Sequence, residues 1–511
     1  MVSHRSLALV LCLLVATIVA QAQDSLLLKR LTIPETTCTI DQALKILEQQ
    51  TGLSPSYNSG LFDRKKTITL KAQQETLEGI LVKMFNNPEL DYDVIGRHLV
   101  IYKPFRTVSA NPDSVVDSVF LVKISGKVFD RETRQTLPFS SVYLVGKPIG
   151  VVSNGEGEFQ LKLESSMLKE TLSISCIGYK NFSAPVSSLI NTNQQYYLEP
   201  DIIPIQEVII RKISPVMLLR NADRRIRDNY PDKPALLTSF YRETIKKGSK
   251  YMMVSEAILE NFKTAYMSSA PDRVKILKGR RNENFSRNDS VMLKLKAGLN
   301  TMLMLDVVKN MPDFLTGENL GDYHYQLSDI VVEDGRDRYV VEFKPIKGSP
   351  QGTFYSGRII IDIQDMAYSW VEFQVDPEYL DLATDRFIVR KPPNMIVKTL
   401  KASYKVAFRK IGSRYYLHMI DCETAFKIRN RHQLSSSVYN TRLETVVIDM
   451  DTVDVNRFSY RESARPFEFF IDQLGDYDES FWGEYNFIKP DESLENALAK
   501  LKKKSGSDQT K

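Results

Sequence analysis

The sequence predicts a multidomain chain: a small α+β module, then an all-β sandwich, then a β-rich α+β domain with a long antiparallel curved sheet. Three observations predict this. The 511 residues exceed what one core organises, at roughly 150 residues per domain. Apolar periodicity is helical in parts of the first hundred residues and strictly alternating over most of the rest. A polar connector, "TVSANPDSVVDS" from Thr107 to Ser118, separates the two regimes. Hydrophobic residues at 43% and charged residues at 26% describe folded rather than disordered protein. A net charge of +5 from 68 basic and 63 acidic residues lacks the concentrated basic face that nucleic acid requires. The lysines at 500, 502, 503 and 504 read as a solvated terminus.

The N-terminus "MVSHRSLALVLCLLVATIVAQAQ" pairs Arg5 with an apolar run from Leu7 to Ala20 and ends on Ala20-Gln21-Ala22, an A-x-A cleavage pattern. The run is shorter than the roughly 20 residues of a spanning helix. Residues 1–22 are therefore expected to be a signal peptide, and the mature chain an exported protein of the periplasm or outer membrane. Leu11 stands before Cys12 where a lipoprotein signal has a small residue, so Cys12 is not expected to carry lipid. Cys38, Cys176 and Cys422 are far apart and odd in number, which predicts no disulfide framework.

Residues 27–103 form the first module. In "TIDQALKILEQQTGLSPSYN" Thr39 is placed to cap a helix, Ala43, Leu44 and Leu47 recur at helical spacing, and Gly52 stops it. A short strand at Thr67–Leu70 leads to a second helix with Leu77, Ile80, Leu81 and Met84 on one face. "LDYDVIGRHLVIYK" closes as a hairpin turning near Gly96-Arg97. These three stretches resemble the short N-terminal (STN) domain shared by secretins and TonB-dependent receptors. The resemblance implies a periplasmic, non-catalytic module that contacts other envelope proteins.

After the 104–118 linker, residues 119–211 hold about seven short alternating runs with turn signals between them, the pattern of a β-sandwich. Gly155 and Gly157 suit positive-φ turn positions, and Phe159 and Tyr179 are the expected core aromatics. "ISGKVFD", "LPFSSVYLVG", "IGVVSNGEGEFQL", "LSISCIGYKNF" and "QEVII" resemble the carboxypeptidase-regulatory-like, transthyretin-like domain of Bacteroidetes envelope proteins. That resemblance implies a non-catalytic docking or spacer domain.

Residues 213–511 begin with a helix carrying Leu218, Leu219, Ala222 and Ile226 and stopped at Tyr230-Pro231. Nine alternating runs follow, from "LTSFYRETI" to "RLETVVIDMDTVDV", interrupted by one expected helical stretch, "VMLKLKAGLNTMLMLDVVKNM". Met292, Met302 and Met304 beside Leu293, Leu295 and Leu303 read as core packing, with an adaptable apolar groove as the functional alternative. "RIIIDIQDMAYSWVEFQVD" resembles the strand-turn-strand of lipoprotein-carrier folds, in which a curved sheet encloses an apolar groove. "YDESFWGEYNFIKPDESLENALAKL" resembles the ends of other Bacteroidetes proteins with the regulatory-like domain. The strands carry frequent charges, unlike a lipid-facing barrel.

Chemistry-bearing motifs are sparse. His98, His324, His418 and His432 show no metal-binding spacing, and His418 reads as a hydrogen-bonded strand residue. Asp449, Asp451 and Asp454 lack the Gly and distal Glu of a calcium loop and read as solvated acids. Asp362 and Asp365 read as hairpin surface acids rather than an acid–base pair. No nucleotide-binding or serine-hydrolase motif is present. No catalytic, cofactor-binding or metal residue and no cofactor are therefore assigned. The relatives of the first two modules usually continue into a plug and a 22-stranded barrel; neither is visible in this sequence, and too few residues remain for both. The expected function is a non-catalytic envelope protein, related to accessory domains of TonB-dependent transport, that binds protein partners of TonB-system or anti-sigma type and takes an apolar or glycan ligand. Outer-membrane association is allowed and nucleic acid is not expected. A signalling component contacting an anti-sigma regulator and an envelope hydrolase of unrecognised type are the alternatives.

Overall fold

The computed structural model describes residues 26–57, 62, 64–87, 90–95, 98–102, 120–190, 193–203, 214–283, 294–295, 298–348, 354–390, 394–432, 435–453, 455–476, 482–483 and 485–498. The signal peptide, the linker, the Gly96-Arg97 turn, "QEVII", Met292 and the terminal lysines lie outside them. The chain forms two compact units. One comprises the residues up to Ile124 with Lys162–Glu170 and Pro185–Thr192, and the other comprises the remainder.

In the first unit, strand β1 (Arg30–Thr39) pairs antiparallel with β3 (Thr67–Thr76), and β2 (Ser54–Tyr57), β5 (His98–Tyr102) and β4 (Asp91–Ile95) form a second sheet. The helix Ile40–Thr51 is fixed by a capping box, Thr39 Oγ1 accepting from Gln42 N–H at 3.3 Å, and ends at Gly52 with φ +74°. Ala43, Leu44 and Leu47 are buried against Leu77, Ile80 and Leu81 of the helix Leu77–Phe85. The sequence reading missed β1. Pro34-Glu35 interrupts its alternation, and the register slips between Leu31 and Ile33 and again between Ile33 and Thr36.

The sandwich holds seven strands, β6 (Leu121–Asp130), β7 (Ser141–Leu144), β8 (Gly150–Val152), β9 (Glu158–Glu164), β10 (Thr171–Ser175), β11 (Phe182–Pro185) and β12 (Asn193–Leu198). They form one sheet in the order β11-β10-β7-β8 and another in the order β12-β6-β9. Phe182 and Phe159 meet Tyr196 at ring-centroid distances of 5.1 and 5.6 Å, so aromatics from both sheets fill the core. Tyr179, expected in that core, is only half-buried, and its hydroxyl donates to Asp130 at 2.8 Å. Of the two turn glycines only Gly157 is left-handed, at φ +78°, and a Cβ there would meet Val128 O at 2.8 Å.

A 12-stranded sheet dominates the second unit, in the order β13-β18-β19-β20-β21-β23-β24-β25-β14-β15-β16-β26. Its strands are β13 (Ile202–Ile203), β14 (Ala235–Lys247), β15 (Lys250–Lys263), β16 (Arg273–Glu283), β18 (Tyr323–Glu333), β19 (Arg336–Pro345), β20 (Tyr355–Asp362), β21 (Ala367–Val375), β23 (Met395–Ile411), β24 (Arg414–Asn430), β25 (Ser437–Asp451) and β26 (Gly475–Asp476). Neighbours are antiparallel except β16 and β26. β17 (Lys294–Leu295) and β22 (Ile388–Arg390) pair separately. One face buries Val341, Ile359, Val371, Val406 and Ile420 against the helix Pro215–Arg224 and the segment around Phe314. Tyr230 Oη donates to Tyr368 O at 2.7 Å and Tyr368 Oη to Leu219 O at 3.2 Å, pinning that helical layer to the sheet. The expected long Met-rich helix is a correction. Among the described residues of that stretch, helix runs only from Leu299 to Met304, started by Gly298 at φ +102°. Met302 is buried in the core and Met304 is 55% exposed.

Candidate functional site

The strands β23, β24, β25, β14 and β15 alternate, so every second residue faces the helical layer. Register places Tyr404 opposite Cys422, Cys422 opposite Leu443, Leu443 opposite Glu243, and Glu243 opposite Ser255. Tyr404, Cys422, Leu443 and Glu243 of this row floor a cavity of about 90 Å³. Thr424, Phe426, Ile245 and Met253 extend the floor, and Phe387, Phe469 and Phe470 close it from above. Phe470 lies across Tyr241 at 4.6 Å. The wall is mainly apolar, with Glu243, Arg442 and the threonines at 244, 301, 424 and 441 as its polar members. Glu243 is buried, and its Oε1 accepts from Tyr241 Oη at 2.5 Å. Burial pushes the carboxyl up to about 7, against the opposing pull of the Tyr241 hydroxyl. Gly298 lies beside it at φ +102°, a backbone conformation that favours glycine. Burial likewise pushes the Cys422 thiol up, which keeps it an inert apolar liner. Chemically the arrangement offers a mainly apolar hole for a few carbon atoms beside a carboxyl that burial raises to about 7.

The opposite face of the same strands is built differently. Arg242 Nε donates to Glu256 Oε1 at 2.7 Å, and Arg280 Nε and Nη2 donate to Glu256 Oε2 at 2.9 and 2.7 Å. Burial would raise the Glu256 carboxyl, but the two guanidiniums hold it below the usual range. The segment 485–498 straps this face. Arg242 Nη2 donates to Ile488 O at 2.8 Å, Lys489 Nζ to Glu158 at 2.6 Å, and Asn154 Nδ2 to Pro490 O at 3.3 Å. The sandwich loop Asn154–Glu158 thus serves as a docking surface inside the second unit.

Sequence candidates fall elsewhere. Asp362 is fully buried, which corrects its reading as a surface acid. Arg336 donates to Asp362 through Nε and Nη2, both at 2.6 Å, and Nη2 also reaches Asp365 at 2.6 Å. Burial would raise Asp362, but Arg336 holds it below its ordinary value, so the pair is an ion-paired turn. Buried His418 shares a hydrogen bond with Ser141 Oγ at 3.1 Å, and burial with the nearby Arg409 keeps its pKa well below the ordinary value. His324 and His432 are exposed, and the His98 side chain lies outside the described residues. Asp449 and Asp451 are exposed and bond neighbouring backbone N–H groups, and Asp454 lies outside the described residues. Among the described residues, no group of three His, Cys, Asp or Glu is placed to hold a metal ion. The sequence reading missed Tyr241 and Glu243. The available signal was Tyr241 and Glu243 at i and i+2 on the strand face that also carries Leu237, Ser239 and Ile245.

Residues 124–210 match the family described as the CarboxypepD_reg-like domain, so the sandwich is a carboxypeptidase-regulatory-like domain. No curated protein matches the chain. Among solved structures, an outer membrane lipoprotein-sorting protein domain from Vibrio parahaemolyticus aligns at 8% identity over 47% of this chain and 93% of its own, with a TM-score of 0.20. A LolA superfamily protein from Nitrosomonas europaea aligns at 12% over 48% and 96%, with a TM-score of 0.18. MucB, solved with MucA, aligns at 10% over 47% and 98%, with a TM-score of 0.15. Likenesses this slight carry no argument. No helix among the described residues is long and apolar enough to cross a membrane.

Proposed function

We propose that this chain is a non-catalytic, exported protein of the cell envelope that grips other molecules, its 12-stranded domain taking a small apolar group into the cavity beside Glu243. The observation that carries the reading is the cavity itself: Ile245, Met253, Phe426, Leu443 and Phe470 give it a mainly apolar wall beside the buried Glu243, with Arg442 and four threonines completing the lining. A hole of about 90 Å³ takes an apolar side chain of a partner or the tip of an acyl chain, not a whole lipid. The regulatory-like sandwich and the N-terminal module supply docking surfaces, the second toward envelope partners of TonB-system or anti-sigma type. Export rests on the apolar leader and its A-x-A pattern.

The raised Glu243 carboxyl favours one second reading, a hydrolase with Glu243 as general acid. Its hydrogen-bond partner is a tyrosine, and the thiol beside it is driven away from the thiolate, which supports binding over turnover. Calorimetric titration with 1-hexanol distinguishes them. A single saturable site in the full chain, lost when Cys422→Phe fills the cavity and kept in Glu243→Gln, supports the binding reading. No saturable heat, or ester turnover that Glu243→Gln abolishes, overturns it.

A further inference from the structure

The carboxyl in the Glu243 cavity is only half engaged. Oε1 accepts from Tyr241 Oη at 2.5 Å. Oε2 accepts from no described residue, yet it is not sealed inside the protein, so it stays open to the cavity that Glu243 lines. Two contacts place this head group at the cavity. A Cβ on Gly298, a lining residue, would sit 3.5 Å from Oε1. The ring of Phe470, another lining residue, lies 4.6 Å from that of Tyr241.

No charge in the wall answers the carboxyl. Burial pushes it up to about 7, and only the Tyr241 hydrogen bond opposes the shift. Arg442 is the one cation among the described lining residues, and its guanidinium is engaged elsewhere. Its Nε donates to Asp421 Oδ1 at 2.6 Å, and its Nη2 lies 3.3 Å from Glu444 Oε1. Asp421 and Glu444 each adjoin a floor residue, Cys422 and Leu443, so strand alternation sends them to the opposite face. Tyr404 and Cys422, the other titratable liners, are pushed up by burial and stay neutral, as does Tyr241. An ionised carboxyl is an acceptor only. With one oxygen open to a mainly apolar hole and no cation beside it, its complement is a donor that brings positive charge on an apolar stem.

We infer that the cavity selects a primary alkylammonium group, its stem packed on Ile245, Met253, Phe426 and Leu443 and its N–H groups donating to Glu243 Oε2. The inference rests on the reading of this cavity as a binding site. An alcohol offers one neutral donor, and a carboxylate or phosphate brings only further acceptors. Folding has already stripped Glu243 of water, so the ligand alone bears the remaining desolvation of the pair. The group can belong to a lysine of a partner or to a free amine.

The test is calorimetric titration of the full chain at pH 8 with n-hexylamine, 1-hexanol and hexanoate, which share one carbon skeleton and differ in the head. The expected result is hexylamine binding about tenfold tighter than hexanol, and no saturable heat from hexanoate. Nα-acetyl-lysine N-methylamide tells the sources apart: saturable binding points to a lysine side chain, and binding of hexylamine alone to a free amine. Glu243→Gln brings hexylamine down to the affinity of hexanol or below, with circular dichroism unchanged. The wild-type protein supplies a second measure. Between pH 8 and pH 5.5 Glu243 takes up its proton, so hexylamine affinity falls about fivefold or more while that of hexanol holds. Saturable hexanol binding with hexylamine no tighter, a preference that survives in folded Glu243→Gln, or one unchanged at pH 5.5 overturns this inference and leaves the cavity reading standing. No saturable heat from either hexanol or hexylamine overturns both.

Discussion

Two glutamates one residue apart in register have opposite characters. Glu256 faces Arg242 across β14 and β15, and Glu243 faces Ser255 on the other side of the same pair of strands. Both are buried. Glu256 accepts three guanidinium hydrogen bonds and is held ionised. Glu243 has one tyrosine hydroxyl and is pushed up to about 7, while Ser255 Oγ finds no partner. Burial depth does not decide the state of a carboxyl; the charge of what it is buried with does. The charged face is built to hold the strap at 485–498, and the other face is built to leave a hole.

The largest expected effect sharpens this contrast. Glu256→Ala leaves Arg242 and Arg280 buried without their anion and is expected to cost about 3–5 kcal/mol by urea denaturation at pH 7. A loss below about 1 kcal/mol would show that the network is not what secures this face.

Glu243 gives the next effect, with a sign. Its folded pKa is raised above its unfolded value, so its contribution is fully present below about pH 4.5 and is lost as pH rises through about 7. Relative to wild type, Glu243→Gln is expected to gain stability between pH 5 and pH 8, by a few kcal/mol at most. Denaturation curves at those two pH values check this, and a parallel pair breaks the comparison.

Tyr241→Phe removes the only described hydrogen bond to Glu243. It is expected to cost about 1–2 kcal/mol and to move the Glu243 midpoint further up, read from the pH dependence of stability. The smallest effect belongs to a pair that is neither face's business. Lys401 and Glu423 are 2.6 Å apart but 46% and 40% exposed, so Lys401→Ala is expected to change stability by less than about 1 kcal/mol.

Much of the architecture was legible. The helix after Thr39 and its stop at Gly52 follow from local chemistry, as do the seven sandwich strands and the alternation that builds the long sheet. What was not legible depends on distant neighbours. Asp362 looks like a hairpin acid until Arg336, 26 residues away, closes on it. Arg242 occupies what reads as the solvent face of β14, and only the strap around Ile488, 246 residues later, buries it.

The sequence by itself determined the periods, caps and turns, and through them a β-rich chain with a regulatory-like sandwich at 124–210. Those features are written in neighbouring residues, because hydrogen-bond closure and side-chain alternation act over a few positions. Only the tertiary structure decided which face of the sheet is sealed, which buried carboxyl meets guanidiniums and which meets only a tyrosine hydroxyl. Those outcomes are set by desolvation and by charges brought within a few ångströms, and no local pattern encodes who that neighbour will be.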